Sequence, residues 1–170
     1  DQYAQAIFRS AKLIVGQKRF VDFVEAMPEL KSAPELEMTH QSQLPAWMPR
    51  SSLMRTFYRA RYALLYDQSN FLRAVYHHGQ EHDGAESLPD ELVAGSNILR
   101  KLSHNQAYMT MVGEAPYLIA SERMRTDRGY VTLALVMPID SQFLKEVVSA
   151  QNHHTMIALL DRDTHVVVAS

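Results

Sequence analysis

Tyrosine and arginine side chains on predicted strands are the residues of this sequence best suited to bind a ligand. Tyr108 lies in one apolar stretch, and Tyr117 and Arg123 share one face of the next predicted strand. Tyrosine offers a ring for packing and a hydroxyl for orientation, while an arginine fork matches the geometry of a carboxylate. We therefore predict a ligand site at Tyr108, Tyr117 and Arg123, in which Arg123 meets the acidic group of a small anionic ligand.

A second group of the same residue types gives this site an alternative position. Arg59 and Tyr66 lie close together in the sequence, before and within another predicted strand. A plainer interpretation stays open for all of these residues, because strands favour tyrosine by propensity alone and arginines often pair with surface acids. The acidic loop of residues 79–91 would supply such partners, or would move as a lid over the site together with a helix predicted at residues 89–104.

The histidines and acidic residues do not form a recognisable metal site. Eight histidines are present, including His77, His78 and His82, but the predicted loop with Gly79 and Gly84 gives them no fixed spacing. The acidic residues of the same loop lack the alternating spacing of a calcium-binding loop. We therefore predict neither a metal nor a cofactor.

Composition narrows the function classes further. The chain has 170 residues, no cysteine and a net charge of −2, which excludes thiol chemistry and argues against a nucleic-acid surface. It contains no Gly-rich phosphate loop, no HExxH and no GxSxG motif. We therefore expect no catalysis from this chain.

Residues 1–50 are predicted to form a long N-terminal helix followed by a Pro-rich connector. The helix covers residues 2–27, and its stripe of Tyr3, Ile7, Ala11 and Ile14 is more apolar than one sheet face requires. Exposed apolar surface is rarely left open in a monomer. We therefore expect the Tyr3–Ile14 part to project from the sheet and to form a parallel homodimer.

Residues 51–152 are predicted to form the main module, an α+β domain with helices packed on a central antiparallel sheet. A helix near residues 51–60 precedes the sheet, and another, capped by Asp140, follows it. A hairpin at residues 153–170 repeats the Asp-led pattern of the first hairpin and is expected to begin a second module. The predicted strands of the sheet are Tyr62–Tyr66, Phe71–Tyr76, Ala107–Val112, Tyr117–Met124 and Tyr130–Met137.

Five antiparallel strands with helices inserted after the first two describe a PAS-like sheet. Three stretches carry this pattern most clearly: Ala63-Leu-Leu-Tyr-Asp67 with Phe71-Leu-Arg-Ala-Val75, Gly129-Tyr-Val-Thr-Leu-Ala-Leu-Val-Met-Pro-Ile-Asp140, and Ala158-Leu-Leu-Asp-Arg-Asp163 with Val166-Val-Val-Ala-Ser170. In this order of elements the chain resembles the extracytoplasmic PAS-like sensor domains of bacterial transmembrane receptors, the Cache and CHASE group. The arginines and tyrosines lack the spacing of the amino-acid-binding members, so that specificity is not carried over.

The resemblance implies a periplasmic sensor between two membrane helices that lie in flanking segments outside this fragment. Such domains serve histidine kinases of two-component systems, diguanylate cyclases and chemoreceptors, and we expect a kinase as the full-length protein. The alternative is a protein-interaction or dimerisation domain with no small ligand. A roomy pocket with convergent arginine and tyrosine would favour the sensor, and a closed apolar interior would favour the alternative.

Overall fold

The computed structural model describes residues 2–32, 34–35, 38–40, 44–49, 60–78, 88–94, 98, 107–150, 158–159 and 167–168. Their arrangement is α+β, with a largely antiparallel sheet and helices, as the sequence predicts. The chain separates into two compact units, Asp1–Met137 and Pro138–Ser170. The boundaries predicted after residues 50 and 152 stay predictions.

The first unit begins with two helices, where the sequence predicts one. Helix α1 is Gln2–Val15 and helix α2 is Lys18–Glu25. Gln17 between them is extended, with φ −79° and ψ 136°, so the helical hydrogen bonds cannot continue through it. The neighbouring Gly16 has a low helix propensity, which favours the break at this point. The prediction of one helix over residues 2–27 is therefore wrong.

A six-stranded sheet follows, in the order β1-β3-β2-β6-β5-β4. The short edge strand β1 lies in the Pro-rich connector and pairs parallel with β3. The five predicted strands are confirmed. The bounds are β1 Met38–His40, β2 Tyr62–Tyr66, β3 Leu72–His77, β4 Ala107–Val112, β5 Ala115–Thr126 and β6 Gly129–Pro138.

Strands β2 and β6 lie at the centre of the sheet and are buried on both faces. Leu64, Leu133 and Leu135 are buried, as predicted, and so are Ala134 and Val136 on the other side of β6. The pattern of large and small residues in β6 predicts partial cover on that second side. Central strands covered on both faces read as continuous apolar runs, which explains their composition.

The two faces of the sheet carry different helices. Helix α3, Asp90–Ala94, belongs to a segment whose Leu88, Leu92 and Ile98 join one apolar cluster with one side of the sheet. We call that side the α3 face. Its members on the strands are Tyr62, Leu64, Tyr66, Leu72, Val75, Val112, Tyr117, Ile119, Ala134 and Val136.

Helix α1 packs across β4 and β5 on the opposite side, which we call the α1 face. Ile7, Ala11 and Ile14 are buried there, each at most 2% exposed. The expectation that this stripe projects from the sheet is therefore wrong, because the sheet itself covers the stripe. The homodimer stays a prediction, without the exposed stripe that motivated it.

The Pro-rich connector is attached to α2 through Trp47. Its indole is 1% exposed and meets the ring of Phe20 edge to face, with centroids 6.3 Å apart and planes at 83°. Such aromatic pairs stabilise beyond their buried area. Trp47 therefore holds the connector on the core.

The second unit contains helix α4, Ser141–Ala150, and the antiparallel pair β7, Ala158–Leu159, with β8, Val167–Val168. Asp140 caps α4 as predicted, since its Oδ1 accepts the amide of Phe143 at 2.9 Å. The helix predicted at residues 51–59, the loop at residues 79–87 and the side chains of Val147 and Val148 lie outside the described residues. In the part of the chain that the structure describes, no helix combines the length and apolar character needed to cross a membrane.

Candidate functional site

The predicted site residues of β4 and β5 share the α3 face but spread along it. Tyr117 is 9% exposed and belongs to the apolar cluster, while Arg123 is exposed. Arg123 follows Tyr117 by six positions, which separates them by roughly 20 Å along the strand. Tyr108 pairs with Ile119, so its backbone places it at the α3 face between them. The structure therefore brings the three residues to one face and not to one point.

The neighbour of Arg123 is Tyr130. The guanidinium carbon lies 5.6 Å from the ring centroid of Tyr130, a cation–π arrangement, and Tyr130 is 50% exposed. The short turn between β5 and β6 folds these two strand ends together. The sequence marks that turn by Thr126-Asp-Arg-Gly129. Counting outward from the turn along both strands would therefore have identified Tyr130 as a neighbour of Arg123.

The α3 face becomes polar toward this turn. Ser121 and Thr132 are buried, at 0% and 3% exposure. Each lies two positions from a cluster residue of its own strand, Ile119 or Ala134, and therefore on the same face. Thr132 pairs with Tyr66 of β2. The hydroxyl-bearing part of the face therefore lies between the apolar core and Arg123.

Tyr66, predicted as part of the alternative site, is committed to the fold. Its hydroxyl donates a 2.6 Å hydrogen bond to the carbonyl of Leu92 in α3, and the side chain is fully buried. Burial raises the pKa of Tyr66 above its ordinary value of 10.0, so the hydroxyl stays a donor. Arg59, the other residue of the predicted alternative site, lies outside the described residues.

The turn between β2 and β3 binds another arginine, Arg73, through the carboxylate of Asp67. Asp67 is 2% exposed, and its Oδ1 accepts the amides of Ser69 and Phe71 at 2.9 and 3.0 Å. Its Oδ2 accepts a 3.1 Å hydrogen bond from Nη1 of Arg73. The same nitrogen donates to the Pro28 carbonyl at 2.8 Å. These groups satisfy one another's hydrogen bonds, so they stabilise the hairpin and are not available to a ligand.

A cleft of about 580 Å³ lies beside the turn between β5 and β6. Arg128 spans it, with Nη2 donating to the carbonyls of Met27 at 2.9 Å and Glu25 at 3.4 Å. Arg125 is exposed and has no partner among the described residues. Two guanidinium groups and two carboxylates give the cleft no net charge. Its lining is Glu25, Arg125, Thr126, Asp127 and Arg128.

The two described histidines of the HH pair have packing roles. His77 is buried and stacks on Tyr62, with ring centroids 4.8 Å apart and an interplanar angle of 18°. His78 lies 6.5 Å from the ring of Tyr76, and burial lowers its pKa below 6.5. Among the residues that the structure covers, no group of three or more His, Asp or Glu side chains is placed to hold a metal ion.

Comparisons of the chain with protein-family models, with curated proteins and with solved structures found no match. The class is therefore the one that the coordinates define, an α+β unit built on a largely antiparallel sheet. Two features of this unit bear on function, the order of the strands and the polar end of the α3 face.

Proposed function

We propose that this chain is the signal-sensing domain of a bacterial membrane receptor, and that the receptor is a histidine kinase. The observation that carries the proposal is the arrangement of the five antiparallel strands. The first and last of them, β2 and β6, are neighbours at the centre, and the segment inserted after β3 covers one face. This arrangement agrees with the PAS-like pattern that the resemblance implies.

The signal site in this proposal is the polar end of the α3 face. Arg123 supplies a guanidinium, and the ring of Tyr130 holds that group at the surface. Ser121 and Thr132 make this end of the face polar beneath the guanidinium. A small ligand with a carboxylate fits this combination, because guanidinium binds carboxylate through paired, charge-assisted hydrogen bonds. Tyr117 and Tyr108 extend the site toward the core.

Signalling in this proposal is a population shift. A ligand that binds one arrangement of the α3 segment on the sheet better than another moves the equilibrium by its difference in affinity. Helix α1, packed on the other face, and the α2 helix that follows it carry the change toward membrane segments that the rest of the receptor supplies. The domain is then periplasmic.

A thermal-shift screen of the isolated chain tests this function. The probes are acetate, succinate, citrate, putrescine, Ca²⁺ and Zn²⁺, and the expected hit is a carboxylate that raises the melting temperature with its concentration. Arg123→Ala is expected to abolish the shift, and Arg125→Ala, two residues further on the same strand, is expected to keep it. A screen without any hit would instead promote the alternative function.

That alternative is a protein-interaction or dimerisation domain without a small ligand. Two observations favour it. Strands β2 and β6 are buried by apolar residues on both faces. The hydroxyl of Tyr66 already donates its hydrogen bond to the carbonyl of Leu92. Analytical ultracentrifugation over a range of concentrations tests self-association. A concentration-dependent dimer with no hit in the screen would favour this function over ligand sensing.

A further inference from the structure

Two arginines from different hairpins bind the same end of α2. Arg73 of β3 donates to the carbonyl of Pro28 at 2.8 Å. Arg128 of the turn between β5 and β6 donates to Met27 at 2.9 Å and to Glu25 at 3.4 Å. The last carbonyls of a helix have no partners within it, and the negative end of the helix dipole favours cations. Arg128 therefore binds the carbonyl of Glu25, the last residue of α2, and that of Met27 directly after the helix, and Arg73 binds the same following segment at Pro28.

Each arginine is fixed by its own hairpin. Arg73 is held by the buried carboxylate of Asp67 at 3.1 Å. The backbone amide of Arg128 donates to Oγ1 of Thr126 at 3.2 Å, and that hydroxyl donates to the Gly129 carbonyl at 2.9 Å. The first turn therefore positions the guanidinium of Arg73 directly. The second turn fixes the backbone from which the side chain of Arg128 extends. We call Arg73 and Arg128 together the two-arginine clamp.

The clamp and the apolar contacts of α2 have different effects. Phe20 and Val24 are fully buried, and Phe20 packs on Trp47. Apolar burial is non-directional, so it holds α2 on the core without fixing the position of its end. The directional hydrogen bonds of the clamp fix that end. The extended residue Gln17 interrupts the helix, so α2 can move while α1 stays on β4 and β5.

We infer that the two-arginine clamp is a conformational joint, and that its release frees α2 while α1 and the sheet keep their places. The joint deepens the proposed function, and its signalling role depends on that function. Strand β5 carries Arg123 and leads directly into the turn of Arg128. A change at the polar end of the α3 face therefore has a short covalent path to α2.

Hydrogen–deuterium exchange of the whole chain tests the joint without any ligand, so its result does not depend on finding one. In an Arg73→Ala/Arg128→Ala double variant, amides of residues 21–26 are expected to exchange at least about tenfold faster, as loss of charged hydrogen bonds permits local opening. Amides of residues 7–14 and of β6 are expected to keep the wild-type rate. Arg125→Ala, in the same hairpin but without contact to the α2 carbonyls, is the matched control.

Arg128→Ala alone leaves the Asp67–Arg73 pair intact, so it tests the joint even where the double variant does not fold. Its residues 21–26 are expected to exchange faster than in Arg125→Ala. Equal rates in these two variants would overturn the inference. Faster exchange spread equally over α1 and β6 would also overturn it, because the arginines would then support global stability only.

Discussion

Two hairpins of the sheet, β2–β3 and β5–β6, use arginine in different ways. In the first, the turn closes on the buried carboxylate of Asp67, which also takes up Arg73. In the second, the turn closes on the hydroxyl of Thr126, and Arg123 and Arg125 stay exposed before it. The first hairpin commits Asp67 and Arg73 to structural hydrogen bonds, and the second keeps Arg123 and Arg125 at the surface.

Strand length explains the difference. Strand β5 has 12 residues and β6 has 10, while β2 has 5. Strand β6 pairs with β2 only from Thr132 to Val136, so its first residues and the facing end of β5 extend beyond β2. Among the residues that the structure describes, that projecting end has no strand beside it on the β2 side, and it carries polar residues. We therefore assign a structural role to the first hairpin and propose that the projecting end of the second binds the ligand.

The largest effect is expected from Asp67→Ala. The substitution removes the acceptor of two amides and leaves the mostly buried guanidinium of Arg73 without its carboxylate. Breaking a buried pair by removing one partner costs about 3–5 kcal/mol. Urea unfolding should show this loss in the free energy of unfolding.

Thr126→Ala is the matched variant in the second hairpin. It removes one neutral hydroxyl from a turn at the surface, where the net loss is about 1 kcal/mol. If Thr126→Ala destabilised the chain as much as Asp67→Ala, the contrast between the two turns would be wrong.

A smaller loss is expected from Tyr66→Phe, which leaves the carbonyl of Leu92 without its donor. An unsatisfied buried acceptor costs about 1–3 kcal/mol. Tyr130→Phe in the second hairpin removes a hydroxyl from a half-exposed ring and should stay within about 0.5 kcal/mol of the wild type. Thermal unfolding of both variants makes the comparison, and equal losses would count against it.

The strands were predictable from the sequence because their apolar runs and turn residues are local signals. The break at Gly16 and Gln17 was not, since the apolar stripe continues across it. The sequence also could not tell whether Ile7 and Ile14 pack on their own sheet or on a second copy, because both bury the same surface. Strand β1 is three residues long and pairs with distant residues, so local pattern does not reveal it.

The candidate site was predictable in part. Alternation along β5 placed Tyr117 and Arg123 on one face, and their spacing of six positions in a strand already implied that the two side chains lie far apart. The contact of Arg123 with Tyr130 depends on the register of a hairpin. The bond from Tyr66 to Leu92 depends on how a distant segment packs, and sequence spacing does not determine that.

A modest pH effect is expected from His78, which follows β3 in the first hairpin. Burial lowers its pKa below 6.5, so the unfolded chain binds more protons than the native chain between the two pKa values. Its contribution is complete above about pH 6.5 and is lost as pH falls, with a slope of at most about 1.4 kcal/mol per pH unit.

His78→Asn removes this titration. Urea unfolding at about pH 7.5 and about pH 5.5 should show a larger acid-induced loss in the wild type than in the variant. Equal losses would mean that His78 titrates alike in the folded and unfolded chains.

The central claim, that the projecting end of β5–β6 binds the signal, is tested most directly by calorimetry with the carboxylate that gives the thermal shift. Arg123→Ala should change the free energy of unfolding by less than about 0.5 kcal/mol, as an exposed substitution. It should nevertheless weaken binding by about tenfold or more, because a charged hydrogen bond is lost. Arg125→Ala and Tyr66→Phe should bind like the wild type. Unchanged affinity in both Arg123→Ala and Tyr117→Phe would contradict the claim and direct the search toward Arg59 and Tyr66.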